Sequence, residues 1–128
     1  MTTVSEIFTA ACALIDALDP RTGSAVSAEN RDYADRAPHI LTVLLGEVLP
    51  YCEAGKSETP RVFSAMGDTL YLEDFICKTI LPQALAARLL IDENPSAAAF
   101  FDASYKTALR DARSGEKGRF EPIEDVYA

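Results

Sequence analysis

Apolar positions recur at helical spacing through most of the chain. Val4, Ile7, Phe8, Ala11, Leu14, Ile15 and Leu18 form one stripe behind Thr3 and Glu6, whose spacing is that of a capping box. Pro20 stops this first helix, and Arg21-Thr22-Gly23-Ser24 reads as a polar loop. Ser27 is the expected N-cap of a second helix with Tyr33, Ala37, Ile40, Leu41, Leu44, Val48 and Cys52 inward. Pro38 leaves two outcomes open: a short helix followed by a new one starting at Pro38, or one long helix that kinks there.

From Glu53 to Asp68 the pattern turns to Gly55, Lys56, Ser57, Glu58, Thr59, Pro60 and Gly67, a connector long enough to suggest a docking loop. Arg61-Val62-Phe63 and Leu70-Tyr71-Leu72 are short apolar pieces within reach of it, readable as extended segments or a small hairpin. A third helix is predicted from Glu73 and Asp74, apolar nearly all round from Phe75 to Ile91 and therefore central. Pro82 should bend it, unless the true start lies at Leu81-Pro82. Asn94 caps a fourth helix with Pro95 at its first position, Ala97, Phe101, Tyr105, Ala108 and Ala112 inward, and Ser114-Gly115 as its end.

The four residues Asp92-Glu93-Asn94-Pro95 are too short a link for the third and fourth helices to do anything but run back against each other. The predicted fold is therefore mainly α, a domain of four to five helices over residues 1–115 with a central helix hairpin and a long mid-chain loop. Residues 116–128 are expected to be an extended C-terminal tail, because Phe120, Pro122, Ile123, Val126 and Tyr127 are isolated apolar positions in a polar segment.

Composition narrows the function classes. A length of 128 residues and 48% apolar content suit one domain with one core. A formal charge of -8 argues against a surface built to neutralise phosphates. Cys12, Cys52 and Cys77 are odd in number, widely spaced and flanked by apolar residues, which reads as reduced core thiols. The opening residues lack the positive region and apolar run of a signal peptide, and no stretch approaches a membrane span, so a soluble cytoplasmic protein is expected.

Candidate chemistry is sparse. His39 is the sole histidine and directly follows Pro38, so an acid-base or metal scheme would rest on it alone. Asp32, Asp35 and Arg36 read as a solvated face, and Asp92-Glu93 supply too few oxygens for a calcium loop. No nucleophile elbow occurs, so the chain is expected not to be an enzyme and to carry no cofactor or metal. The remaining candidates are protein-contact positions. Phe100 and Phe101 point about 100° apart on a helix, so one of the two rings is free to face a partner.

Leu70-Tyr71-Leu72-Glu73-Asp74, Ile80 to Leu90, Asp92-Glu93-Asn94-Pro95 and Phe100 to Tyr105 together resemble the small neck proteins of tailed phages and prophages. The resemblance extends to Val4-Ser5-Glu6-Ile7-Phe8, to Asp32-Tyr33 with Ala37-Pro38, and to Glu121 through Tyr127, covering most of the chain in order. It implies a head-tail connector, or adaptor: a structural virion protein of the neck, assembled in the host cytoplasm as a dodecameric homo-oligomeric ring. Portal would lie above it and a stopper or tail-completion protein below, with DNA passing through an acidic channel without specific binding and no membrane involved. Val62, Phe63, Phe100, Phe120, Ile123, Val126 and Tyr127 are then the candidate interface residues. The alternative is a small prophage regulatory or interaction module that binds one partner through the Phe100 face. A helical DNA-binding regulator is disfavoured by the charge and by having only Lys106, Arg110 and Arg113 as a cationic run on the last helix.

Overall fold

The computed structural model describes residues 2–15, 31–52 and 61–120, with side chains described as far as residue 112. Its order is β1 (Thr2–Thr3), α1 (Val4–Leu14), α2 (Arg31–Val48), a short 3-10 turn (Leu49–Tyr51), β2 (Thr69–Leu70), a π-helical turn (Ile76–Ile80), α3 (Leu81–Leu90) and α4 (Pro95–Phe120). The chain is mainly helical, with four α-helices among the described residues.

α3 is the hub, packing against α1, α2 and α4. Leu81, Ala84, Leu85, Ala86 and Leu89 are all buried, so its middle is central as its sequence predicts, whereas Phe75 and Ile91, the two ends of the predicted apolar stretch, are exposed. α1 contributes Val4, Ile7, Phe8, Ala11 and Cys12 to the same core. On α2 the buried set is Ala37, Pro38, Leu41, Leu44, Leu45 and Val48, while Tyr33, Ile40 and Cys52 pack at its edge. α4 turns Ala98, Tyr105 and Leu109 inward, flanked by partly buried Phe101, Ala108 and Ala112.

The start of α1 satisfies its orphan amides completely at the first three positions. The Glu6 amide donates to Thr3 Oγ1 at 3.1 Å and the Thr3 amide to Glu6 Oε1 at 2.9 Å, the reciprocal capping box. The Val4 and Ser5 amides donate to the carbonyls of Asp68 and Met66 at 2.9 and 2.8 Å. The same loop extends this contact as a short antiparallel ladder, with Thr2 opposite Leu70 and Thr3 opposite Thr69. The Arg61–Phe63 and Leu70–Leu72 pieces therefore do not pair with each other; Leu70 pairs with the N-terminal strand.

Both prolines predicted to disturb helices are accommodated in distinct ways. α2 runs unbroken through Pro38, which is buried, so the two-helix alternative is not adopted. Thr42 Oγ1 bridges there, donating to the Pro38 carbonyl at 3.0 Å and accepting from the Phe63 amide at 2.9 Å. Before Pro82 the backbone widens into the π-helical turn, the Leu81 amide reaching back to the Ile76 carbonyl. A proline ring crowds the carbonyl four residues earlier, and one extra residue in the turn makes room for it. The Gln83 side-chain amide donates to the Thr79 carbonyl at 3.1 Å.

The predicted hairpin is present. The Asn94 amide bonds the Leu90 carbonyl at 2.8 Å to close α3, and Asn94 Oδ1 accepts from the Ala97 amide at 3.2 Å to open α4. The predicted end at Ser114-Gly115 is corrected: α4 is 26 residues long and reaches Phe120. Glycine costs only about 1 kcal/mol inside a helix, and Glu116, Lys117 and Arg119 are good helix formers. Residues 116–120 are thus helical rather than an extended tail, and residues 121–128 lie outside the described set.

Candidate protein-interaction surfaces

The local sequence places the candidate residues very differently from one another. Val62 is 73% exposed, as an interface residue must be before its partner arrives. Phe63, its neighbour, is fully buried, and this overturns its reading as a contact residue. An extended segment sends adjacent side chains to opposite faces, and here the inward one enters the core. The Phe63 amide is held by Thr42, and the Arg61 guanidinium lies over its ring at 4.8 Å.

Phe100 is 66% exposed, whereas Phe101 packs against the core. The rings meet edge to face with centroids 5.5 Å apart. Phe100 borders an open concavity of about 440 Å³ formed with Gln83, Ser104, Thr107 and Asp111. Gln83 also borders a smaller one of about 180 Å³ with Leu14, Lys78 and Pro82. Phe120 closes α4, while Ile123, Val126 and Tyr127 lie outside the described residues.

A second apolar surface lies at the hairpin turn. Ile91 is largely exposed there, beside a cavity of about 260 Å³ lined by Ala87, Arg88, Pro95, Ala98 and Asp102. Sequence reasoning missed what stands next to it. Arg88 Nη2 donates to Glu47 Oε1 and Oε2 at 3.0 and 2.9 Å, and the Tyr105 hydroxyl donates to Glu47 Oε1 at 2.9 Å. This cluster joins α2, α3 and α4. Burial and then the Glu47 carboxylate raise the Tyr105 hydroxyl far above the ordinary tyrosine range. The available signal was Arg88 itself, a cation within a helix otherwise buried, which needs a partner.

A parallel fastening ties the start of α2 to the hairpin turn. The Tyr33 hydroxyl donates to Glu93 Oε1, Arg36 Nη2 donates to the Leu89 carbonyl at 3.4 Å, and Arg36 pairs with Asp32 at 3.2 Å. Partial burial, reinforced by Glu93, pushes the Tyr33 hydroxyl up to about 12. Asp32 and Arg36 form the local ion pair expected of a solvated face.

Burial favours the protonated form of all three thiols. Burial pushes Cys12 up to about 11 and raises Cys77; burial followed by the nearby Glu73 carboxylate pushes Cys52 up to about 12. All three are unpaired. His39 is exposed at its place on α2. Among the described residues no group of three or more His, Cys, Asp or Glu side chains could hold a metal ion, and no helix is long and apolar enough to cross a membrane. No family model, curated protein or solved structure matches this chain.

Proposed function

We propose that this protein is a structural head-tail connector of a tailed phage or prophage, a ring subunit that continues the DNA channel from portal towards the tail. The reading rests on the neck-protein resemblance, and the observation that carries it is the α3–α4 hairpin. Residues with that resemblance, Ile80 to Leu90, Asp92 to Pro95 and Phe100 to Tyr105, lie in the packed hub, the capped turn and the first half of a helix that continues to Phe120. What surrounds it suits assembly: Val62, Ile91 and Phe100 are exposed apolar residues, and the net charge of -8 would let DNA slide past without adhering. Its partners would be portal, a stopper or tail-completion protein, and further copies of itself in a dodecameric ring, placing it at the virion neck after assembly in the host cytoplasm.

The concavity beside Phe100 favours one second reading, a prophage regulatory or interaction module that seats a single protein partner there. Light scattering separates the two. A ring, or a monomer that adds stoichiometrically to the portal protein encoded near it, supports the connector; a small species that ignores portal overturns it.

A further inference from the structure

The continuation of α4 past Ser114-Gly115 changes the meaning of its cations. Lys106, Arg110, Arg113 and Lys117 follow at intervals of four, three and four residues, which places all four positions on one side of a single helix. From Ala103 to Phe120 the chain has five Lys and Arg against two Asp and Glu, whereas the remainder has seven against eighteen. The stretch of α4 from Ala103 onward is therefore a basic arm on an acidic body. Lys106 is held by Asp102 at 2.9 Å and Arg110 touches Thr107, while Asp111 and Glu116 occupy other positions around the helix.

The opposite end of the molecule has the opposite sign. The Tyr33–Glu93 hydrogen bond brings the start of α2 to the hairpin turn, so that Asp32, Asp35, Asp92 and Glu93 are exposed together, against Arg31 and Arg36. The exposed Ile91 and its cavity stand at this same end. A charged rim around an apolar centre is the usual composition of a specific protein contact.

We propose that the basic arm of α4 docks on the acidic hairpin end of a second copy of this chain. Charge complementarity selects that occupant. A nucleic-acid backbone lying on the arm would have to run beside the acidic remainder of the molecule, whereas another copy brings the matching surface with it. Because the two complementary surfaces sit at opposite ends, the contact is head-to-tail, the kind that closes into a ring or continues as a filament. The inference concerns copies of the chain alone and stands or falls separately from portal binding.

The test is sedimentation velocity on the full chain and two charge-reversed variants, each checked for wild-type helicity by circular dichroism. The first is Arg110→Glu, Arg113→Glu and Lys117→Glu; the second is Asp35→Arg and Asp92→Arg, which leaves Glu93 and its bond to Tyr33 intact. The wild type should self-associate in about 0.1 M salt and weaken by about tenfold or more in about 1 M, where the Debye length falls from about 10 to about 3 Å. Each variant alone should sediment as a monomer, and the two mixed in equal amounts should associate again. A wild type that stays monomeric, a variant that associates like the wild type, or a mixture that fails to recover would overturn the proposal. So would tight, salt-sensitive binding of a short DNA duplex to wild type that the arm variant loses and the hairpin variant keeps, since the arm would then be reading phosphates.

Discussion

The contact of α1 with α3 and the junction of α2 with the α3–α4 hairpin hold the same hub by different forces. α1 presents Val4, Ile7, Phe8 and Ala11, all buried and apolar, and its polar requirements are met within its own first turn and the adjoining loop. The α2 side also has an apolar stripe, but its edges are fastened by Glu47–Arg88–Tyr105 and Tyr33–Glu93. Burial of apolar area is non-directional and strong, whereas half-exposed polar bonds add little net stability and much geometry. The apolar contacts of α1 and α2 with α3 therefore set how stable the domain is, and the polar fastenings set how the hairpin lies on α2.

That division gives an ordered set of expectations. Truncating the fully buried Phe8 to Ala leaves a cavity in the apolar contact and should cost about 3 to 5 kcal/mol, read as a lower midpoint in urea unfolding at unchanged slope. Tyr105→Phe removes only the hydroxyl bond to Glu47 and should cost about 1 kcal/mol, since Arg88 still satisfies the carboxylate and Glu47 is within reach of water. A loss for Tyr105→Phe as large as that for Phe8→Ala would dissolve the distinction. The pH response of Tyr105 has a definite sign. Its folded hydroxyl titrates above the unfolded one, so its contribution is fully present below about pH 10 and is lost as pH rises towards the higher folded value.

The same contrast explains what the sequence disclosed. Caps are local: Thr3 with Glu6, and Asn94 with Pro95, lie within one helical turn, and both formed as read. Apolar periodicity is nearly as local, and it located the stripes of α1, α2 and α4 with small errors, such as the omission of Leu45 and Leu109. The polar fastenings join residues 41 to 60 positions apart, a separation that leaves no periodic trace. Phe63 is a related case, because Thr42, which receives its amide, lies 21 residues away. The candidate surfaces were legible at Phe100, where exposure follows from helical phase, and at Val62 in its non-helical segment, and not at Ile91, where the hairpin turn decides it.

Two smaller effects sharpen the α1 side. Thr3→Ala removes one half of the capping box and should cost about 1 kcal/mol by the same unfolding assay. The loop that covers this helix start is itself held by a carboxylate. Asp68 accepts from the Ser64 and Ala65 amides at 2.8 and 3.1 Å, while its own carbonyl receives the Val4 amide. Those two amides hold its carboxyl below the usual aspartate value. A depressed folded pKa contributes stability above the unfolded value of about 4, and that contribution is lost as pH falls through the folded one. Asp68→Asn keeps the shape and one carbonyl acceptor but abolishes the titration. The variant should therefore be slightly less stable than wild type at neutral pH and converge with it only as pH falls through the depressed folded pKa, below the ordinary aspartate value, where wild-type Asp68 is protonated too. Because the carboxyl is exposed, the neutral-pH difference should be the smallest of the set. A difference that stayed constant down to low pH would assign the loop's hold on α1 to shape and not to charge.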